Sequence, residues 1–186
     1  MVAHYFVAIP LTKALKNHFS VWQEELKEKL PYKQWTNKLD LHITLKFLGA
    51  VEREQLNRLH QELQQVENAN AFSTKTGGVG VFGNPVKPRV LWADVDKTDA
   101  LAFLYEQVEG AAARAGFAKE TRPFRPHITL AKKWDSSPNS EPVETMQALF
   151  KEKRLLQVEE IVIYQIYPKQ TPKYKVVSRF NLSGGE

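Results

Sequence analysis

None of the 186 residues is cysteine. That removes disulfide staples, thiol nucleophiles and thiolate metal sites together. No apolar run approaches the ~20 residues that a membrane-spanning helix needs. The opening "MVAHYFVAIPLTK" has a short apolar run with a histidine inside it and no basic leader before it, so it reads as a strand and not as a signal peptide. A cytoplasmic location is the expectation. Two motifs are also missing: the His-Glu-x-x-His of metalloproteases, and the Gly-x-x-x-x-Gly-Lys loop that ATP-driven chemistry would use. Excess charge is scarce as well. Lys and Arg exceed Asp and Glu by 26 to 21, and the basic residues are scattered among the acids. A net +5 suits a phosphate-bearing substrate, but it suits simple solubility equally well.

What is present is ordinary globular material, 42% hydrophobic and 25% charged. Residues 1–186 fit a single domain made of two similar lobes, long enough to bury a core without a metal or disulfide. Residues 4–9 read as a strand ending at Pro10. Leu15, Phe19, Trp22, Leu26 and Leu30 recur at helical spacing behind a capping Thr12, and Pro31 stops the helix. "LDLHITLKFLG" is a strand closed by Gly49, and Leu56, Leu59, Leu63 and Val66 mark a second helix. The Gly- and Pro-rich stretch around 72–90 forms a seam. Beyond it come a strand at 89–95, a helix through Leu101, Leu104, Tyr105, Val108 and Ala112 that Gly116 ends, and the strand "RPHITLAKKW". A polar loop from Asp135 to Pro142 leads to a short helix near 143–151. Two closing strands follow, "LLQVEEIVIYQIY" and "YKVVSRFNL".

One tetrapeptide occurs twice. Leu41-His42-Ile43-Thr44-Leu45 is echoed by Pro126-His127-Ile128-Thr129-Leu130, the second histidine following the first by 85 residues. Each copy follows a strand and then a helix. Phe6 precedes His42 by 36 residues, and Leu91 precedes His127 by 36. Equal gaps indicate a duplicated supersecondary unit.

In a strand, alternate side chains share a face, so His42 with Thr44, and His127 with Thr129, form polar pairs on apolar backings. A single His-x-Thr is commonplace in strands. Two copies at matching positions of a repeat are not explained by packing, which would preserve Ile and Leu and would not need the polar pair. Related by a pseudo-twofold, the pairs can face each other across a groove. Opening a phosphodiester needs a base for the attacking oxygen and an acid for the leaving one, on opposite sides of phosphorus. Imidazole serves either role near neutral pH. Threonine hydroxyls can hold the non-bridging oxygens. No metal or other cofactor is required. Metal binding by His42 and His127, with Asp40 or His4, is the weaker alternative, because lone histidines far apart are poor metal evidence.

The doubled His-x-Thr-Leu resembles the 2H phosphoesterase superfamily. "LHITLKFLG", "GVGVFGNPVKPRVLWADV", "RPFRPHITLAK" and the opening "YFVAIPL" are similar to its RNA 2′,3′-cyclic phosphodiesterases, formerly called 2′-5′ RNA ligases. The likeness runs from about residue 4 to 133, with a closing region to 182. It implies an α+β, bilobal, pseudo-twofold-symmetric fold with two antiparallel sheets flanked by helices around a central groove. It implies hydrolysis of a 2′,3′-cyclic phosphate, on RNA ends, oligonucleotides or nucleosides, to a 2′-phosphomonoester. His42 would be the proton donor and His127 the proton acceptor, with Thr44 and Thr129 holding the phosphate. A soluble, metal-free monomer is expected. A non-catalytic nucleotide or RNA-end binding module and a reversible 2′-5′ ligase are the alternatives. One departure stands out: the family's Ala-Arg after the second motif is Ala131-Lys132 here, which keeps a charge but loses a planar fork. Strict alternation aims Lys132 away from the His127 face and Lys133 toward it. Arg125 and Arg89 are further candidates for the RNA backbone, and Phe47, Phe82 and Trp92 for base stacking.

Overall fold

The computed structural model describes residues 2–136 and 140–184. Strand β1 (His4–Pro10) feeds helix α1 (Lys13–Lys27), whose start is capped by Thr12: its hydroxyl oxygen accepts the Leu15 N–H at 3.3 Å. Leu15, Phe19, Trp22 and Leu26 form the buried stripe of α1. After the short strand β2 (Tyr32–Trp35) and a single 3-10 turn come β3 (His42–Ala50), α2 (Arg53–Leu63) and the long β4 (Phe72–Asn84). The opening pattern then recurs. Strand β5 (Lys87–Val95) leads into α3 (Asp99–Arg114), where the Thr98 hydroxyl oxygen accepts the Leu101 N–H, again at 3.3 Å. Next are β6 (His127–Trp134), α4 (Val143–Leu149), β7 (Arg154–Val158), β8 (Glu160–Ile166) and β9 (Tyr174–Asn181).

All strand pairs are antiparallel, and the order across the sheet is β7-β4-β5-β6-β3-β1-β8-β9, with β2 alongside β6. β3 and β6 pair in register at Ile43 and Ile128. Outward from that pair the two halves repeat each other: the His-x-Thr strand, the strand that precedes its helix, then two more. The two sheets implied by the resemblance are these halves, joined in one hydrogen-bonded network. Ile43 and Ile128 are both fully buried and stabilise the junction by about 2 kcal/mol each through apolar burial. One face of the network packs on the helices, where Val7, Ile9, Leu91, Ala93 and Leu130 meet Phe19, Leu26, Leu59 and Leu104. Helices do not cover the other face. In the first half it carries its own small cluster of Phe6, Ala8, Val162 and Tyr164.

Two features depart from the periodicity. β2 was not expected from "YKQW", which is too short to show alternation. "LLQVEEIVIYQIY" is not one strand. β7 pairs β4 at one edge of the sheet and β8 pairs β1 in the other half, so the chain crosses between halves at Glu159. The signal is a broken alternation: Leu156 and Val158 are buried, Glu160 is not, and burial resumes as a continuous run from Ile161 to Tyr164. The loop expected over 135–142 includes residues 137–139, which lie outside the described residues. No described helix is long and apolar enough to cross a membrane.

Candidate active site

The two His-x-Thr segments lie side by side on the uncovered face. With Ile43 opposite Ile128 in an antiparallel pair, His42 lies across from Thr129 and Thr44 across from His127. Each imidazole is anchored the same way. His42 Nδ1–H donates to the Asp40 carbonyl at 2.7 Å, and His127 Nδ1–H donates to the Arg125 carbonyl at 2.7 Å. A carbonyl can only accept, so this contact fixes the proton on Nδ1 and leaves Nε2 of each neutral ring as the free acceptor. Thr44 Oγ1–H donates to His42 Nε2 at 2.9 Å. Thr129 sits half-buried beside Trp92 on β5.

Strict alternation fails next, and fails identically in both halves. Val7 pairs with Lys46 and Ala8 with Thr44, which leaves Leu45 as an extra residue in β3. Leu91 pairs with Ala131 and Trp92 with Thr129, which leaves Leu130 extra in β6. Each is a β-bulge at the last letter of the repeated tetrapeptide. Leu45 and Lys46 are both buried, as are Leu130 and Ala131. The phase therefore flips, and the next residue of each strand comes onto the histidine face. That residue is Phe47 in β3 and Lys132 in β6. The sequence expectation that Lys132 points away is thus corrected: its positive charge acts on both His42 and His127. Phe47 is 63% exposed.

The electrostatics follow from burial. His42 lies against Phe6 (centroids 4.7 Å apart), with Tyr174 edge-on at 5.3 Å and Tyr164 at 5.9 Å. Desolvation, aided by the charges of Lys132, His127 and Lys16 and opposed by the bond to Asp40, pushes its pKa down to about 4. His127 is shifted down too, by burial first and by Lys132, with the Arg125 carbonyl opposing. Asp40 is a residue whose role the sequence did not show. Its carbonyl holds His42, while its buried carboxylate accepts the N–H groups of Lys173 and Tyr174 at 2.9 and 3.1 Å. It thereby ties the segment before β9, and the Tyr174 ring, to the imidazole. Tyr164 and Tyr174 were also missed, since nothing local distinguishes them from other strand tyrosines.

Beside His127, Phe82 stands edge-on with centroids 4.9 Å apart, and Trp92 is 6.2 Å away. Both line a cavity of about 450 Å³ with Lys97 and Arg125, so Arg125 reaches the rim through its exposed side chain. Trp92 depends on Gly80, where an added Cβ would fall 2.1 Å from the indole. The metal alternative finds no support in placement. His4 is at the far end of β1, six residues or roughly 20 Å from Pro10, the partner of His42. Asp40 is committed to backbone N–H groups, and no group of three or more His, Asp or Glu among the described residues could hold a metal.

Three comparisons fit this architecture. A family model described as LigT like phosphoesterase matches residues 9–92 and 94–174. The RNA 2′,3′-cyclic phosphodiesterase of Bacillus subtilis (strain 168) is 36% identical over 185 residues, covering 97% of each chain. That of Geobacillus stearothermophilus is 36% identical over 183 residues, covering 98% of this chain, which spans only 58% of the relative's length. A crystal structure from Thermus thermophilus superposes with a TM-score of 0.78 at 23% identity, covering 98% of this chain and 100% of that one, and shows the shared fold.

Proposed function

The chain belongs to the LigT-like phosphoesterase family, and from that premise we propose that it is a hydrolase of RNA 2′,3′-cyclic phosphates that yields 2′-phosphomonoesters by two-histidine acid–base catalysis without a metal. The observation that carries the reading is the paired anchoring: two imidazoles on one open face, each with Nδ1–H held by the carbonyl two residues back, which leaves Nε2 as the acceptor, met by the Thr44 hydroxyl at His42. His127 Nε2 takes a proton from water as its oxygen attacks phosphorus. His42 Nε2 gives a proton to the departing 3′ oxygen, and the bond from phosphorus to the 2′ oxygen survives. His42 is neutral at pH 7 in the free protein, because burial and Lys132 depress its pKa. An arriving phosphodiester anion offsets both effects, so substrate and proton bind together. The Thr44 hydroxyl leaves Nε2 to donate to a non-bridging oxygen, with Thr129 opposite and the Lys132 ammonium balancing the charge. Phe47 offers an exposed ring for the base. A cytoplasmic location suits this reading, as does a chain without cysteines.

The test is incubation with an oligonucleotide ending in a 2′,3′-cyclic phosphate, with and without chelator. The expected product is the 2′-phosphate at an unchanged rate. His42→Ala and His127→Ala should each lose about 10²–10⁴-fold in kcat. A 3′-phosphate product, or substantial turnover by both variants, refutes the mechanism.

A further inference from the structure

The two halves keep their His-x-Thr strands alike but differ in the strand beside each. Across from His42 stands Pro10, and across from Thr44 stands Ala8. The matching stations in the second half are Asp94, across from His127, and Trp92, across from Thr129. Proton transfer does not call for that difference, since the first half sets its imidazole beside a proline. Nor does His127 use the Asp94 carboxylate as its anchor, because its Nδ1–H is held by the Arg125 carbonyl.

Asp94 and Trp92 are two apart in β5 and so share the open face. Both line the cavity of about 450 Å³ beside His127, together with Phe82 and Phe124. Its walls are packed in place. Phe82 and Trp92 have centroids 5.1 Å apart, and Phe124 stacks on Tyr105 at 4.1 Å. The Asp94 backbone is held as well, because the Thr76 hydroxyl donates to its carbonyl at 2.7 Å. The Asp94 carboxylate accepts the Val95 N–H, and Lys153, already bonded to Asp96, attracts it at longer range. Burial outweighs both and raises its pKa. One backbone N–H leaves most of a carboxylate's acceptor capacity unused. The cavity thus combines aromatic rings for a flat partner with a carboxylate short of donors, on a strand about 5 Å from that of His127.

Guanine is the base that suits this combination. Its N1–H and 2-amino group point the same way and can meet both oxygens of one carboxylate. Adenine and cytosine each set one amino group beside a ring nitrogen that only accepts, and uracil sets its N3–H between two carbonyls. Arg125 on the rim supplies donors for the O6 and N7 edge of guanine. We infer that the cavity beside His127 seats the guanine of the nucleotide that carries the cyclic phosphate, with Asp94 as the residue that selects it. This rests on the phosphodiesterase reading above. Phe47 stands on β3, with β6 between it and this cavity, so its ring is left to a neighbouring base of a longer strand.

The experiment compares kcat/KM for the 2′,3′-cyclic phosphates of guanosine, inosine, adenosine and uridine. Inosine differs from guanosine only by the missing 2-amino group. Guanosine should exceed inosine by about tenfold and uridine by about 100-fold, as the loss of one or two hydrogen bonds to a charged acceptor dictates. Asp94→Asn should bring the guanosine-to-inosine ratio to about one, and should raise xanthosine relative to guanosine by roughly tenfold, because the amide N–H then meets the 2-carbonyl of xanthine. Equal rates on the four nucleotides, or a preference for any other base, overturn the inference while the phosphodiesterase reading stands, and the wild-type protein alone decides this. So does an Asp94→Asn protein that keeps the wild-type guanosine-to-inosine ratio. Turnover of none of the four by the wild-type protein overturns the phosphodiesterase reading, and this inference with it.

Discussion

Replacing Lys132 by glutamine tests whether the charge beside the two imidazoles does what the geometry requires. The bulge at Leu130 turns Lys132 onto the histidine face, where its charge lowers the pKa of both rings. The Lys132 and Thr129 backbones are about one strand step of two residues apart, roughly 7 Å, and that separation sets the scale of the charge effect. A unit charge at that distance, in a medium of effective dielectric about 30, is worth about 1.6 kcal/mol, or a little over one pKa unit. In the wild-type protein His42 titrates at about 4 and His127 below its usual 6.5, so kcat/KM should peak on the acid side of pH 6.5. Lys132→Gln raises both values, and both limbs of the bell should move to higher pH by about one unit. Loss of a charge-assisted phosphate contact should also lower the peak by about 10- to 100-fold. Lys132→Arg should restore the position of the limbs and most of the height. The assay is kcat/KM against pH on a nucleoside 2′,3′-cyclic phosphate, with imidazole titration by NMR in the free protein. A fall in height with both limbs unmoved would refute the account, because Lys132 would then touch substrate without sensing the histidines.

Three further outcomes are expected. His42 binds its proton less readily folded than unfolded, so the unfolded state holds more protons between pH 4 and 6.5; stability should fall by roughly 3 kcal/mol as pH drops through that window, and His42→Gln should flatten the slope in denaturant titrations. Lys46→Met strands the Glu109 carboxylate, which Lys46 meets at 2.9 Å in a buried pair, and should cost about 3–5 kcal/mol by chemical denaturation, whereas Lys46→Met/Glu109→Leu should recover most of it; equal losses would show that the pair itself is what matters. Asp40→Ala frees the N–H groups of Lys173 and Tyr174 and should cost about 1–3 kcal/mol, with hydrogen exchange at those two amides speeding up; unchanged exchange would mean the carboxylate does not hold the segment.

The duplication was legible because a polar pair and its apolar backing occupy adjacent positions, and that pattern is written twice at a fixed spacing. His42, Thr44, His127 and Thr129 therefore emerged from the pattern alone, and the structure sets them on one face. Lys132 was ambiguous because alternation is a rule for unbulged strands, and a bulge is invisible in a single strand's letters. The repeat did hold a clue: Leu45-Lys46 and Leu130-Ala131 stand at the same offset from their histidines, so one irregularity was required of both or neither. Tyr164 and Tyr174 were not legible, since they meet His42 across more than a hundred residues of chain, and the Asp40 carboxylate finds its partners, the Lys173 and Tyr174 N–H groups, just as far away; local periodicity carries no information about such distances.

A perfect twofold through Ile43 and Ile128 would have a drawback. A five-membered phosphate ring could then be seated either way round, and either ribose oxygen could be expelled, because the imidazoles would be interchangeable. The chain breaks that degeneracy five residues beyond each histidine, with a benzyl group on one strand and an ammonium at the matching station of the other. Regiochemistry, on this view, belongs to Phe47 and Lys132 more than to the pair that moves the protons, and exchanging those two side chains is the change most apt to scramble which isomer leaves.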